Sequence, residues 1–323
     1  MIFYAINVFL SLFIIDRRYS HFGIFILFNT LVWIVISEPY LDIQTYLRFF
    51  GAKYGFEAGY HNVTAMILQI TGDRLTGLKF TQIFAFVFGL SLLFYFSNVK
   101  FKLREFMIVL ALFSNSIFFK LGNFNVLRQY IGCVIAMGAI GTISTYRGVM
   151  YLYVASLFHK SVLILTLNFL VRYFRGSIAI IALIVLAVVS IASLKLIIGY
   201  TRYGFYLDIG QYDDRTNSVI RLIPVTLIFA STLYMRRAPT LDNDRLFSIL
   251  FKLNITIFAF IFALSFEPIF NEIQSRVIYY YFFVALFLYC RAMCLSFNVL
   301  MFLWFIFFNA AYPSALIVSI GGV

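Results

Sequence analysis

The chain has 323 residues, is 63% hydrophobic and only 12% charged, and carries 41 Phe and 22 Tyr. A water-soluble domain holds roughly twice that charged fraction, so a soluble protein is excluded. The net charge of +12 comes from Lys and Arg scattered through short loops with no basic arm, which argues against a nucleic-acid partner.

Apolar runs long enough to span a lipid bilayer recur along the whole chain. They are continuous and not alternating, so a β-barrel is excluded. The expected fold is all-α: one integral membrane domain over residues 1–323 with about 11–12 transmembrane helices. Cys133, Cys290 and Cys294 lie in apolar segments, with no CxxC and no His beside them. Neither a disulfide framework nor a metal site is expected, and no cofactor is implied.

In chain order, Ile2 to Ile15 reads as a short span ending at Asp16-Arg17-Arg18, and Phe22 to Ser37 as the second. The first lacks a small-residue cleavage site and reads as an anchor. The stretch from Glu38 to Tyr60 follows, with acids and bases that a bilayer would reject. Asp42, Tyr46 and Phe50 recur every fourth residue, so a helix puts them on one face. Ionisable residues at a membrane boundary point to a functional site, with an ordinary polar loop as the alternative. Asn62 to Ile70 reads as an amphipathic surface helix, Leu78 to Val99 and Phe106 to Phe119 as spans. A polar break is expected at Lys120 to Asn125, with Arg128-Gln129 opening the next span and a tight turn at Tyr146-Arg147-Gly148.

Val149 to Val171 reads either as one span or as two half-helices meeting at His159-Lys160-Ser161. The broken form puts Arg17-Arg18, Lys100 to Arg104, Arg147, Arg172 to Arg175, Arg236-Arg237 and Arg291 on one face, the pattern of a cytoplasmic side. Each half is then roughly 15 Å long, so the pivot lies near mid-membrane and lines a cavity. Ile178 to Ile198, Ile223 to Met235, Leu246 to Phe266, Val277 to Tyr289 and Leu295 to Tyr312 complete the spans. Tyr200 to Arg221 and Glu267 to Arg276 are expected as outer loops, and both termini fall outside.

On this topology Asp42, Glu57, Arg128, His159, Arg202, Arg215, Arg221 and Arg276 face one side. Arg is the side chain suited to phosphate, being planar, permanently charged and able to grip two oxygens. Several Arg with a few carboxylates around an aqueous mouth suit a lipid pyrophosphate donor and an acceptor hydroxyl. The Arg would stabilise the leaving pyrophosphate, and a carboxylate or His would take the acceptor proton. Arg276 shares a helix face with Tyr279 and Tyr280, and Tyr faces suit sugars. Each has a plainer alternative: an interface marker for Arg128 and Gln129, a satisfied buried donor for His159, a Tyr-rich belt for Tyr279, and loop pairing for Arg202 or its neighbours.

Asp42 with Tyr46 and Phe50, Glu57-Ala58-Gly59-Tyr60, Leu127-Arg128-Gln129, Phe158-His159-Lys160-Ser161, and Arg276 with Tyr279-Tyr280-Tyr281 together resemble the EpsG family of bacterial membrane proteins. These are polymerases of the Wzy type for O-antigen, capsule or exopolysaccharide. The sequence departs from the family in having no basic residue just before Asp42. The resemblance implies a GT-C-like membrane glycosyltransferase on the outer face of the inner membrane. It would move a growing glycan from undecaprenyl pyrophosphate to the non-reducing end of a lipid-linked repeat unit. It implies Arg128, Arg276 and Arg202 on the pyrophosphates with Gln129 and Tyr279 beside them, Glu57 or His159 as base, and Asp42 orienting the acceptor. A chain-length regulator is a possible partner. The rivals are a flippase for the same glycolipid, an O-antigen ligase, and an acyltransferase with a His base. A carrier should show a pseudo-symmetric repeat, and none is visible.

Overall fold

The computed structural model describes residues 2–38, 42–52, 57–97, 102–124, 126–142, 145–173, 181, 185, 189, 215–266 and 270–311. Among them the secondary structure is helical. Among the described residues four helices are long and apolar enough to cross a membrane, over Arg17–Ile36, Arg74–Ser97, Arg245–Leu264 and Ile273–Leu295, and the bent pair Leu103–Asn115 and Ile117–Phe124 is a fifth if it forms one span. Four shorter apolar helices of 10–17 residues accompany them. The chain divides into two units, Met1–Leu165 with Tyr289–Val323, and Thr166–Leu288.

The first unit begins with α1 (Ile2–Phe13), a 3-10 turn (Arg17–Phe22), α2 (Gly23–Ile36) and the short α3 (Asp42–Arg48). It continues with α4 (Ala58–Thr71), α5 (Arg74–Ser97), α6 (Leu103–Asn115) and α7 (Ile117–Phe124). Then come α8 (Leu127–Gly141), α9 (Thr145–Phe158) and a second 3-10 turn (Lys160–Thr166). The amphipathic Asn62 to Ile70 segment is the body of α4. Asp73 starts α5 by accepting from the Thr76 amide at 2.8 Å and its hydroxyl at 2.9 Å. Those two bonds, the amide first, hold the Asp73 carboxyl below its usual range. A depressed carboxylate contributes its stability at neutral pH and loses it as pH falls through the lowered value.

α8 is the inner helix of this unit, packed by α5, α7 and α9. Leu127, Tyr130, Cys133, Val134, Met137 and Ile140 on it are buried. Glycine lets α9 approach: a Cβ on Gly138 would stand 2.5 Å from the Tyr151 ring. The expected turn at Tyr146-Arg147-Gly148 is instead the first turn of α9. Gly148 is buried in that helix, so its small size serves packing and not chain reversal.

The expected break at Lys120 to Asn125 is met only at its end, where α7 stops at Phe124 and α8 starts at Leu127, and a further break precedes it. Helix α6 ends at Asn115, the chain bends by 57°, and Lys120 to Asn123 lie inside α7. The break falls at Ser116, whose hydroxyl accepts from the Phe119 amide at 3.0 Å and so supplies a local cap. Lys120 can be helical and buried because two partners meet it. Its Nζ donates to the Asn309 carbonyl at 2.7 Å and sits 3.8 Å from the centre of the Tyr4 ring. Asn309 belongs to α15 (Val299–Ala311), whose side-chain Oδ1 accepts from the Ile117 amide at 2.8 Å. The two helix ends therefore satisfy one another across the break.

Three further cations of this unit do the same work. Lys79 on α5 donates to the Ile34 carbonyl at 2.8 Å and to Ser37 at the end of α2. Arg74 Nη1 reaches the Arg48 carbonyl at the end of α3 at 2.8 Å. Arg291 reaches the Ser97 carbonyl at the end of α5 at 3.2 Å. The last carbonyls of a helix have no intrahelical donor and carry partial negative charge, so a cation there satisfies both. Lys120→Ala is expected to lower thermal stability in detergent by about 3 kcal/mol, from lost packing and an orphaned Asn309 carbonyl. Lys120→Met, which refills the volume, should lose clearly less; equal losses would show that the carbonyl contact carries the effect alone.

In the second unit α10 (Leu167–Tyr173) leads to α11 (Arg215–Met235), α12 (Pro239–Asp242) and α13 (Arg245–Leu264). Helix α13 packs on α10, α11 and α12. Phe229 and Phe258 stack across α11 and α13 with centroids 4.1 Å apart. The last helix, α14 (Asn271–Leu295), leaves this unit and ends in the first. The loop expected through Arg276 is therefore already helical from Asn271. Its run Val277 to Tyr289 is buried at every position, as an all-round apolar helix must be. Helix α11 likewise starts at Arg215, inside the expected outer loop, and carries Pro224 within it. Most of Ile178 to Ile198 and all of Tyr200 to Asp214 lie outside the described residues.

Candidate functional site

Glu57 stands immediately before α4 in extended conformation, and Arg128 is the second residue of α8. Arg128 Nη1 and Glu57 Oε2 form an ion pair at 2.5 Å, with side chains 19% and 11% exposed. The guanidinium also lies over the Tyr46 ring, 5.5 Å from its centre. Tyr46 packs against Tyr60 with centroids 5.8 Å apart. Both tyrosines are buried. Three short segments thus converge: the exposed-to-buried edge of α3, the start of α4 and the start of α8. A planar cation held by a carboxylate on one edge and an aromatic face below has its orientation fixed.

His159 packs against α8 at Gly132. A Cβ on Gly132 would stand 3.6 Å from His159 Cβ and 3.4 Å from the Ala155 carbonyl. Gly132 follows Arg128 by one turn on the same face, roughly 6 Å along the axis. Helix α9 ends at Phe158 and the 3-10 turn begins at Lys160, so the break falls at His159 as the sequence suggests. The Ser161 hydroxyl meets His159 Nδ1 at 2.6 Å. Close approach on the other side comes from Gly59, where a Cβ would lie 2.7 Å from Leu157 Cβ and 2.8 Å from its carbonyl oxygen. Gly59 therefore sets the spacing between the Glu57 end of α4 and the last turn of α9.

The other sequence candidates are placed as follows. Asp42 is the first residue of α3, one turn before Tyr46. Gln129 is buried, and as the neighbour of Arg128 it points roughly 100° away around α8. Arg276 and Tyr279 are on α14 in the second unit. Tyr279 is 4% exposed and packs edge-on against Tyr280 at 6.2 Å, so it serves packing and is not an open sugar platform. Arg202 lies outside the described residues. In the second unit buried Arg221 donates to the Asn271 carbonyl at 3.0 Å, next to buried Gln274 and Ser275 on the first turn of α14. That polar cluster was missed as a group, although Asn271, Gln274 and Ser275 recur at helical spacing in the sequence. Among the described residues no group of three or more His, Cys, Asp or Glu could hold a metal ion.

Fold and site define an α-helical, multi-pass membrane protein with a partly buried ion pair beside a helix break. No protein family, no curated protein and no solved structure matches this chain.

Proposed function

We propose that the chain is a membrane glycosyltransferase of the polymerase type, resembling the EpsG and Wzy proteins. It transfers a growing glycan from undecaprenyl pyrophosphate to a lipid-linked repeat unit on the outer face of the bacterial inner membrane. The observation that carries this reading is the Arg128 guanidinium, held by Glu57 and lying over the Tyr46 ring.

In this reading the acceptor hydroxyl oxygen attacks the anomeric carbon of the donor glycan. The bond from that carbon to the pyrophosphate oxygen breaks, and undecaprenyl pyrophosphate leaves with the electron pair. Arg128 meets the charge that develops on the leaving oxygens. The acceptor proton goes to His159, with Ser161 fixing the ring through Nδ1 and Nε2 taking the proton. Glu57 is the weaker choice of base, because its carboxylate already pairs with Arg128. Asp42, at the head of α3, orients the acceptor sugar. A GT-C-like arrangement of about 11–12 spans belongs to the same proposal.

A flippase for the same glycolipid is the second reading. The bend of 57° between α6 and α7, with Lys120 buried beside it, favours it, since carriers use broken helices around polar sites. The two readings separate in nanodiscs supplied with a lipid-linked repeat unit. The glycosyltransferase should release one undecaprenyl pyrophosphate per glycosidic bond. Translocation of the glycolipid across proteoliposomes with no such release would overturn it. His159→Asn should lower that release by roughly 10²–10⁴-fold while leaving the protein monodisperse. Unchanged release would remove His159 from the chemistry.

A further inference from the structure

Gln82 lies on α5, a helix apolar enough to cross a membrane, roughly 12 Å from its start. It shares a face with Leu78, Phe86 and Gly89, all buried. Gln82 is 1% exposed, and its Nε2 donates to the Asn123 carbonyl at 2.6 Å. Asn123 lies in the last turn of α7 and is fully buried. That bond leaves three polar atoms over. Gln82 Oε1, Asn123 Oδ1 and Asn123 Nδ2 are buried and have no hydrogen-bond partner within the protein. Turning the Gln82 amide over gives no relief, because its oxygen would then face the Asn123 carbonyl oxygen. Turning the Asn123 amide over only exchanges its donor with its acceptor.

A buried amide atom with no partner opposes folding, and hydrocarbon around a spanning helix supplies none. The adjoining side chains are apolar. Phe86 follows Gln82 by one turn, Phe124 follows Asn123, and Phe119 packs on both rings at 5.1 and 6.0 Å. The three atoms also lie close together. Nitrogen and oxygen of one amide are roughly 2.3 Å apart, so Gln82 Oε1 is at most about 5 Å from the Asn123 carbonyl. The Asn123 side-chain amide is joined to that same carbonyl through Cα and Cβ alone. One molecule in hydrogen-bond contact with each atom spans such a separation.

Two acceptors and one donor select the ligand. A cation would meet the Nδ2 hydrogens, and an anion would meet two carbonyl oxygens. A water molecule donates to both oxygens and accepts from the nitrogen, which satisfies all three. We propose that Gln82 and Asn123 form an internal binding site for one water molecule, which joins α5 to the end of α7. From there the chain passes into α8 through a connection closed by the Val126 amide, which donates to the Leu121 carbonyl at 2.9 Å. The site stands independently of the reaction assigned to Arg128.

The test uses the full chain in nanodiscs. A single-particle map that resolves ordered internal water should show one peak within hydrogen-bond distance of Gln82 Oε1 and both polar atoms of the Asn123 side chain. Such a map with no peak there, while other internal waters are visible, would overturn the site. A peak touching only one of the two side chains would do the same. Thermal unfolding of Gln82→Leu and Asn123→Leu in detergent gives a second measurement. Each alone strands the other amide and should lower the melting temperature by about 2–5 °C. The double substitution should lower it by clearly less than the sum of the two. The Gln82 Nε2 bond goes to the Asn123 backbone, which Asn123→Leu keeps, so coupling between the side chains reports the shared water. Additive losses would contradict the proposal, and the wild-type map decides alone where a variant does not fold.

Discussion

Arg128→Ala should lower glycan polymerisation by roughly 10²–10³-fold while the protein still inserts and purifies as a single species. The loss follows from what Arg128 does at each side. Its guanidinium is oriented by Glu57 at 2.5 Å and by the Tyr46 ring at 5.5 Å, so little reorganisation is needed when charge appears on the leaving group. Arg128→Lys keeps the charge but not the planar fork, and should recover a small part of the activity. A purely structural role has a distinct signature. Removing one partner of a partly buried ion pair leaves the other unpaired, at a cost of up to about 3–5 kcal/mol in fully buried cases. If Arg128 served only to neutralise Glu57, then adding Glu57→Gln to Arg128→Ala would restore polymerisation. The proposed role predicts no restoration, even where the second change recovers thermal stability.

Gly59→Ala is expected to destabilise the protein by about 1–3 kcal/mol and to lower polymerisation beyond what the lost folded fraction explains. The added Cβ would meet Leu157 Cβ at 2.7 Å, its carbonyl oxygen at 2.8 Å and its carbonyl carbon at 2.9 Å. Two of these are backbone atoms, which cannot rotate away, so α4 and α9 must separate. That separation moves Glu57, two residues earlier, relative to His159, two residues later. Gly72→Ala is the comparison. Gly72 ends α4 in the left-handed region at φ 70°, with nothing within 4 Å of an added Cβ. Its substitution carries backbone strain of about 1–2 kcal/mol but no displacement of the site. Thermal unfolding and product yield measured on both variants check the difference. Equal specific activity of folded Gly59→Ala and wild type would show that the α4–α9 spacing does not matter to the reaction.

The sequence made the helices legible where apolar runs were long and uninterrupted, as at Arg74–Ser97 and Arg245–Leu264. It misplaced their ends wherever a polar residue found a partner far along the chain. Lys120 looked like part of a break because its partner could not be read from spacing; Asn309 lies 189 residues from Lys120. The same holds at Asn271, whose carbonyl accepts from Arg221 while the segment stays helical. Lys79, Arg74, Arg291 and Lys120, which spacing alone gave no role, meet carbonyls at neighbouring helix ends. Single members of the site were visible as ionisable residues at helix ends. Their pairing was not: Glu57 and Arg128 are 71 residues apart, and only the close approach of α4, α8 and α9 brings them together. The helix end at His159 agrees with one of the two forms that the sequence left open for Val149 to Val171.

The most direct measurement is a gel of products from purified protein in nanodiscs, incubated with a lipid-linked repeat unit of the host polysaccharide. A ladder spaced by one repeat unit from the wild type, and none from Arg128→Ala, is the predicted result. No ladder from folded wild-type protein with the correct substrate, or equal ladders from both proteins, would contradict the assignment of Arg128 and its neighbours to glycan polymerisation.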